Sequence, residues 1–504
     1  MSQSLPERSD AELPRLSLAQ VLPRAEFFDC RDLQVSTVQA DSRKVQPGDV
    51  FVALVGTNRD GHDFAADAIQ RGAVAVVGEQ LLPGDFPQCI VPDSRIAYGK
   101  LCQTLAGNPS QSMKVIGVTG TNGKTTTTCL IASILKAAGF QPGLLGTLGY
   151  SDGESIGEGT LTTPSAPELA TWLARMVSTG CTHAVMEVSS HALAQHRVAG
   201  ITFDAACATN VRRDHLDYHG SLSAYRAAKR RLFKHLAPEG LAVVNADDAI
   251  CRSYLATHNG PALTISLDGE AELTATLLER SASEQTFLLH AGHDSVAVRT
   301  RMIGDHHISN CLVAAAVGLA YQIGLDDIVR GLESVEHVPG RLERIECGQS
   351  FAAFVDYAHT PDALVCTLST LREVTAGKII CVFGAGGDRD RQKRPLMGCA
   401  VEKHADCVIV TTDNPRTEDP EVIAREILAG CDAPENVELV CDRASAIRRA
   451  LSMAEPGDSV VICGKGHEGY QLVGQKKHPF DDRETVREWL YDRSRKARTK
   501  RMVA

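Results

Sequence analysis

The sequence predicts an α/β protein of about three domains, on three observations. Its 504 residues exceed what one hydrophobic core organises. From Lys114 onward, apolar strand-like runs alternate with periodic helical stretches, the pattern of a largely parallel sheet covered on both faces. The alternation breaks at HVPGRLE, 337–343, and then resumes, whereas the first 110 residues carry only short strand-like runs. The expected domains are therefore 1–110, 111–338 and 339–504.

In the first unit the runs are VSTVQA, DVFVALVG and AVAVVG, and the turn-rich GNPSQS at 107–112 reads as a linker. In the second, strands are expected at KVIGVT, AVMEVS, AACATN at 205–210 and LAVVN at 241–245, with helices over TTTCLIASILKAAG and about 167–178. Residues 262–304 read as several short strands, an antiparallel addition, followed by a helix at about 309–322. In the third unit, FAAFVD, KIICVFG, CVIVTT, VELV and SVVICG are strands, separated by helices at 361–373, around 396–404 and at 420–429. This is a Rossmann-like succession.

Composition narrows the function classes. Hydrophobic residues make up 43% and charged residues 23%, with a net charge of -10, which disfavours a general nucleic-acid binder. The local basic run RAAKRRLFK at 226–234 remains a candidate anion site. Sixteen cysteines are scattered without CxxC pairs, as small buried hydrophobes of a reduced compartment would be. The first thirty residues carry acids and prolines where a signal peptide needs an apolar run, and no later run reaches spanning length. A cytoplasmic protein without membrane insertion, and a monomer, is expected.

VIGVTGTNGKTTT at 115–127 places a glycine-rich turn between a strand and a helix. Gly120 and Gly123 let backbone amides, including those of Thr121 and Asn122, approach phosphate oxygens. The helix N-terminus adds partial positive charge, and Lys124 reaches the β and γ phosphates. Val118 stands where the common pattern has its first glycine. The bland alternative is a tight strand–helix turn with a surface lysine. On the functional reading the central domain is P-loop ATPase-like, ATP is the ligand, and Thr125 or Thr126 offers a hydroxyl to Mg2+. Glu187, at the end of the strand AVMEV, suits a second metal contact, and His215, in RRDHLDYHG, could complete the site as a neutral imidazole.

Together these stretches resemble the Mur ligases, amide-forming enzymes of peptidoglycan synthesis, over essentially the whole chain. The resemblance is to those members that add the third peptide residue to UDP-N-acetylmuramoyl-L-alanyl-D-glutamate. It rests on DSR at 41–43, GTNGKTTT at 120–127, TTP at 162–164, MEVSSHALAQHRV at 186–198, DHLDYHG at 214–220 and YRAAK at 225–229. In the C-terminal third it rests on DYAHTPDAL at 356–364, FGAGGDRDRQKRP at 383–395, DNPR at 413–416 and GKGHEGYQ at 464–471.

The resemblance implies that the N-terminal domain holds the uridine nucleotide at Ala40, Ser42 and Thr57–Asn58–Arg59, although that last turn departs from the best-known version of the loop. By itself Ser42 would be an ordinary turn hydroxyl. Contacts to the muramoyl dipeptide carry over to Thr162, Thr163, Ser189, Gln195 and Arg197. Lys229 is, on sequence alone, one of several basic residues on a helix; the resemblance makes it a carbamylated lysine that helps hold magnesium. Asn310 is placed near the adenine, with a helix cap as its equally satisfactory local role.

In DYAHTPDAL, Thr360 is a natural helix cap and Pro361 fits the first helical position. The resemblance gives the two carboxylates of the incoming amino acid to Arg389 and Arg416. It gives the distal amino group to Gly464 and Glu468. DNPR, residues Asp413, Asn414, Pro415 and Arg416, marks users of meso-2,6-diaminopimelate, since arginine suits bidentate carboxylate recognition. Asp419 and Pro420 launch the next helix. The implied reaction is attack of a D-glutamyl carboxylate on the γ phosphorus of ATP, then of the acceptor amine on the resulting acyl phosphate. The competing readings are a lysine-adding ligase, a folylpolyglutamate synthase, and a nucleotide-binding regulator without catalysis.

Overall fold

The computed structural model describes residues 16–56 and 59–503, without the side chains of 257 and 493–503. Thr57 and Asn58, expected at the uridine nucleotide, lie outside the described residues. Among the described residues no helix is long and apolar enough to cross a membrane.

Three large sheets follow one another along the described residues, beside two two-stranded ones. The first has five strands in the order Glu26–Phe28, Gln88–Ile90, Ala75–Gly78, Val50–Val52 and Val38–Gln39, parallel except at the first pair. Alternation along Val50–Val52 sends Val50 and Val52 into a core with Leu18, Ala75 and Leu101. Phe51 goes to the opposite face, with Ala65 and Val76.

The second sheet has eleven strands. Its parallel centre runs Pro142–Gly146, His183–Glu187, Lys114–Thr119, Phe203–Ala208, Leu236–Asn245. Ile116 and Val118 face the helices Lys124–Ala137, Asp305–Ala320 and Leu325–Glu333, while Val115 faces Ala166–Ser178. Both faces are thereby covered, which is why these strands read as unbroken apolar runs. The short strands expected over 262–304 continue this same sheet, with Leu273–Arg280, Gln285–Ala291 and Asp294–Thr300 antiparallel at its edge.

The third sheet runs Glu343–Arg344, Ala352–Asp356, Ser459–Cys463, Ile379–Phe383, Cys407–Val410, Val437–Leu439 and is parallel after its first pair. Helix Pro361–Val374 starts as the sequence predicts, with the Thr360 hydroxyl accepting from the Ala363 amide. Two helices start earlier than expected. Lys393–His404 begins before 396, and the helix expected at 309 spans Asp305–Ala320. Gly304 at φ 105° breaks the preceding chain and Asp305 supplies the acidic first turn. His306 and His307 interrupt the apolar periodicity that marks the rest of the helix in the sequence. Asn310 therefore stands within the helix and is not its cap.

Candidate active site

The strand Lys114–Thr119 ends in the sheet centre, and its turn delivers helix Lys124–Ala137 with its N-terminus pointing to the sheet's carboxyl edge. Gly123 takes φ 85° at the helix start, and a Cβ there would sit 2.4 Å from Asn310 Oδ1, so the turn requires glycine twice over. The Lys124 ammonium donates to the carbonyls of Gly120 and Thr121 at 2.8 and 2.9 Å, folded back over its own turn. Lys229, buried beneath, donates to the same Gly120 carbonyl at 2.6 Å. Burial first, and the neighbouring Lys124 second, push the Lys229 amine well below its ordinary value; burial also lowers Lys124. Two amines converging on one carbonyl make a turn that favours an incoming anion.

The turn forms one wall of a cavity of about 720 Å3. Glu187, buried at the end of its strand, accepts from the Thr125 hydroxyl at 3.1 Å and from the Thr147 amide at 2.7 Å. Arg341, from the link between the second and third sheets, donates to the Thr125 hydroxyl at 3.0 Å. Asn310 Oδ1 accepts from the Thr127 hydroxyl at 3.2 Å, bracing the turn from behind. His215 lines the same cavity at φ 53°, a left-handed conformation that costs a non-glycine residue of order 1–3 kcal/mol. Its imidazole is 3.3 Å from the Asp214 carboxylate, but burial outweighs that attraction and keeps the ring neutral.

Positions expected for the muramoyl dipeptide gather on the adjoining wall. Thr163 donates to the Glu187 carbonyl at 2.9 Å and accepts from the Ser189 amide at 3.0 Å. Arg197 donates to the Thr163 carbonyl and, with two nitrogens, to Gln195 Oε1. Thr162, Ser189 and Arg197 line the cavity, and Gln195 stands behind Arg197.

The acceptor loops follow the carboxyl ends of the third sheet. Exposed Arg389 reaches the cavity wall. Arg416, left-handed at φ 52°, donates from Nη1 to the Gly387 carbonyl at 2.6 Å, so DNPR and GAGGDRD are clamped together. Asn414 donates to Glu468 at 2.7 Å, and buried Lys465 bridges Asn414 Oδ1 and Glu468 at 3.1 and 3.0 Å. Gly464, beside buried Asp413, donates to the Asp356 carbonyl, and Asp356 lines the cavity. Asp419 caps the next helix by accepting from Glu421, as expected. Glu418 instead accepts both terminal nitrogens of buried Arg394, and that hydrogen bonding holds its carboxyl down at about 2.

The cavity thus brings together Lys124, Glu187, His215, Asn310, Arg197 and Arg389. Lys229 lies beneath the turn. Ala40, buried Ser42 and exposed Arg59 belong to the first sheet's loops and do not line the cavity. Sequence reasoning passed over Asp214, Thr147, Arg341 and Lys465; of these, Asp214 and Lys465 carried a signal, their places inside DHLDYHG and GKGHE.

The chain as a whole is similar to known proteins. The pattern described as "Mur ligase middle domain" matches residues 118–318, "Mur ligase, glutamate ligase domain" 340–466, and "Mur ligase family, catalytic domain" 34–88. The chain is 44% identical over 467 residues to the UDP-N-acetylmuramoyl-L-alanyl-D-glutamate--2,6-diaminopimelate ligase of Syntrophomonas wolfei subsp. wolfei, covering 91% of this chain and 95% of that one. A relative of the same description from Aquifex aeolicus is 42% identical over 461 residues, covering 91% and 94%. A solved structure of a ligase so described superposes with a TM-score of 0.68 at 34% identity, covering 95% of this chain and 99% of that one. The Mycobacterium tuberculosis folylpolyglutamate synthase complexed with ADP and AMPPCP, at 22% identity and TM-score 0.59 over 73% of this chain and 92% of that one, shares the fold alone.

Proposed function

Since the chain belongs to the Mur ligase family, we propose that it joins meso-2,6-diaminopimelate to the D-glutamyl carboxylate of UDP-N-acetylmuramoyl-L-alanyl-D-glutamate, with ATP as the activating substrate. The observation that carries this reading is one cavity with a phosphate turn on one wall and Arg389 on another, beside the clamped DNPR loop. It is an amide-forming ligase of peptidoglycan synthesis. A carboxylate oxygen attacks the γ phosphorus, ADP leaves, and the acyl phosphate formed is attacked at carbon by the acceptor amine; the C–O bond breaks and phosphate departs. Lys124 unfolds from the Gly120 and Thr121 carbonyls to neutralise charge on the transferring phosphoryl group, and the amides of Lys124, Thr125 and Thr126 at the helix start hold the phosphates, because those expected from Thr121 and Asn122 donate to the Asn210 carbonyl and side-chain oxygen instead. Asn310, braced on Thr127, faces the nucleotide.

The Thr125 hydroxyl and the Glu187 carboxylate, 3.1 Å apart beside the turn, fit Mg2+, a hard ion held by one or two protein oxygens together with phosphate. When bound, the ion would offset charge on the phosphates. His215 stands neutral on the same wall. Lys229 as an ammonium does not fit beside a cation, yet its burial favours the neutral amine, the form that takes up carbon dioxide to become a carbamate. Ala40, Ser42 and Thr57–Asn58–Arg59 hold the uridine nucleotide on domain 1–110, Thr162, Thr163, Ser189, Gln195 and Arg197 hold the muramoyl dipeptide on 111–338, and the acceptor belongs to 339–504. There Arg389 and Arg416 take the carboxylates, while Asp413, Asn414, Gly464 and Glu468 face the distal ammonium end.

Supplying ATP, Mg2+ and the UDP-muramoyl dipeptide with meso-diaminopimelate, lysine or ornithine, and weighing the product, tests the reading. Diaminopimelate should be joined preferentially. Preferential joining of lysine would overturn the acceptor assignment, and no joining of any acceptor would favour a regulator. Arg416→Ala should reduce diaminopimelate use roughly 10- to 100-fold, the value of about 1.5–3 kcal/mol for a lost hydrogen bond to a charged group. An unchanged acceptor preference in that variant refutes the role given to Arg416.

A further inference from the structure

Helix Asp305–Ala320 presents His306 and Asn310 four residues apart, on one face. Asn310 braces the phosphate turn. Four residues before it, roughly 6 Å along the helix axis, His306 Nδ1 lies 3.3 Å from Cys366 Sγ on helix Pro361–Val374. Both side chains line the cavity. The imidazole folds back over Gly304, where a Cβ would come within 2.6 Å of His306 Cε1 and 2.8 Å of Thr370 Oγ1, so the ring's place beside the thiol requires glycine there. Next to it, His307 also lines the cavity, and its buried Nδ1 has no hydrogen-bond partner among the described residues.

The pair is polarised. Burial alone would raise the Cys366 thiol, but His306 outweighs it and holds the thiol below its ordinary value. Burial likewise lowers His306, and Cys366, with Asp356 and Asp305, outweighs that and raises the imidazole. The two aspartates oppose the thiolate while favouring the imidazolium, and His307 stays neutral through burial and the nearby His306. Cys30, Cys347 and Cys441, which are partly or fully exposed, are all held above the ordinary thiol value, chiefly by burial. A thiolate that is both formed and reachable is the reactive species of a cysteine.

We propose that Cys366, paired with His306 across the cavity wall, is a modification site for low-molecular-weight disulfides, and that the mixed disulfide closes the cavity to nucleotide. The second half rests on the ATP reading given above. Cys366 Sγ attacks one sulfur of the disulfide, the protein–ligand S–S bond forms, the original S–S bond breaks, and the departing thiolate takes the proton carried by His306. The protein thiol is oxidised and half of the disulfide is reduced. Reduction by a dithiol reverses the step.

The test is incubation of the full-length protein with glutathione disulfide at neutral pH, followed by peptide mass mapping. A single glutathionyl adduct should form on Cys366 at least tenfold faster than on exposed Cys441, and Cys366→Ser should lose it. His306→Asn should slow the reaction at least fivefold and move the midpoint of its pH profile upward, a change that a purely structural role would not produce. In the wild-type protein alone, the profile should already show Cys366 reacting at a lower pH than Cys441. Equal labelling of the two cysteines, or an unaltered rate in His306→Asn, overturns the site. Calorimetry with ATP on the unmodified protein separates the two readings. Absence of binding there refutes the nucleotide assignment, whereas binding that survives full modification of Cys366 refutes closure of the cavity.

Discussion

Lys124→Met is expected to lower kcat by roughly 100- to 1,000-fold, the usual cost of removing one preorganised group that stabilises transition-state charge, while leaving the fold intact. The fold survives because of what the ammonium touches. Among the described residues Lys124 donates only to the carbonyls of Gly120 and Thr121, and the Gly120 carbonyl keeps its second donor, Lys229. Methionine retains the length and apolar stem. Phosphate release measured at saturating substrates, alongside the melting temperature, checks both halves. A kcat within threefold of the wild type would remove Lys124 from the chemistry, and a collapse of the melting temperature would make its role structural.

The second large effect is on stability. Arg443 and Asp482 form an ion pair with both side chains fully buried, Nε and Nη2 each meeting one carboxylate oxygen at 2.8 and 2.7 Å. Arg443 also donates to the carbonyls of Cys463 and Thr412, the residues directly before Gly464 and Asp413. Arg443→Met strands a buried carboxylate and leaves those carbonyls short of a donor, which is expected to cost about 3–5 kcal/mol. Adding Asp482→Leu should recover much of that loss, because the pair's desolvation cost disappears with it. Denaturant unfolding of the single and double variants measures this. A single variant within 1 kcal/mol of the wild type, taking roughly 1 kcal/mol as an ordinary substitution, would contradict it. Because the pair sets the DNPR and GKGHE loops, the double variant should also show a raised KM for the acceptor with less change in that for ATP.

What the sequence revealed follows from range. The phosphate turn is legible because strand, glycines, lysine and helix start are consecutive, and Thr360 and Asp419 are legible as caps because a cap reaches only two or three residues. Arg341 is not, since it meets Thr125 across 216 residues, and no local pattern distinguishes it from a surface arginine. Lys465 lies inside GKGHE, yet its burial between Asn414 and Glu468 depends on two loops meeting. The helix containing Asn310 begins earlier than its apolar periodicity predicts, because two histidines at its start face the cavity and not the core. Arg416 reads in the sequence as a free fork for a carboxylate. The structure adds that Nη1 is engaged with Gly387, which fixes the guanidinium and leaves its other donors to recognise a ligand.

Everything proposed for the cavity depends on a substrate carboxylate being activated as an acyl phosphate at the turn formed by Gly120 to Thr126. The oxygen that attacks the γ phosphorus must then leave with phosphate when the acceptor amine displaces it. A UDP-muramoyl dipeptide labelled with 18O in the reacting D-glutamyl carboxylate, turned over with ATP and meso-diaminopimelate, should release inorganic phosphate carrying one labelled oxygen for each amide formed. Unlabelled phosphate, with one label kept in the amide and the other lost to water, would rule out the acyl phosphate.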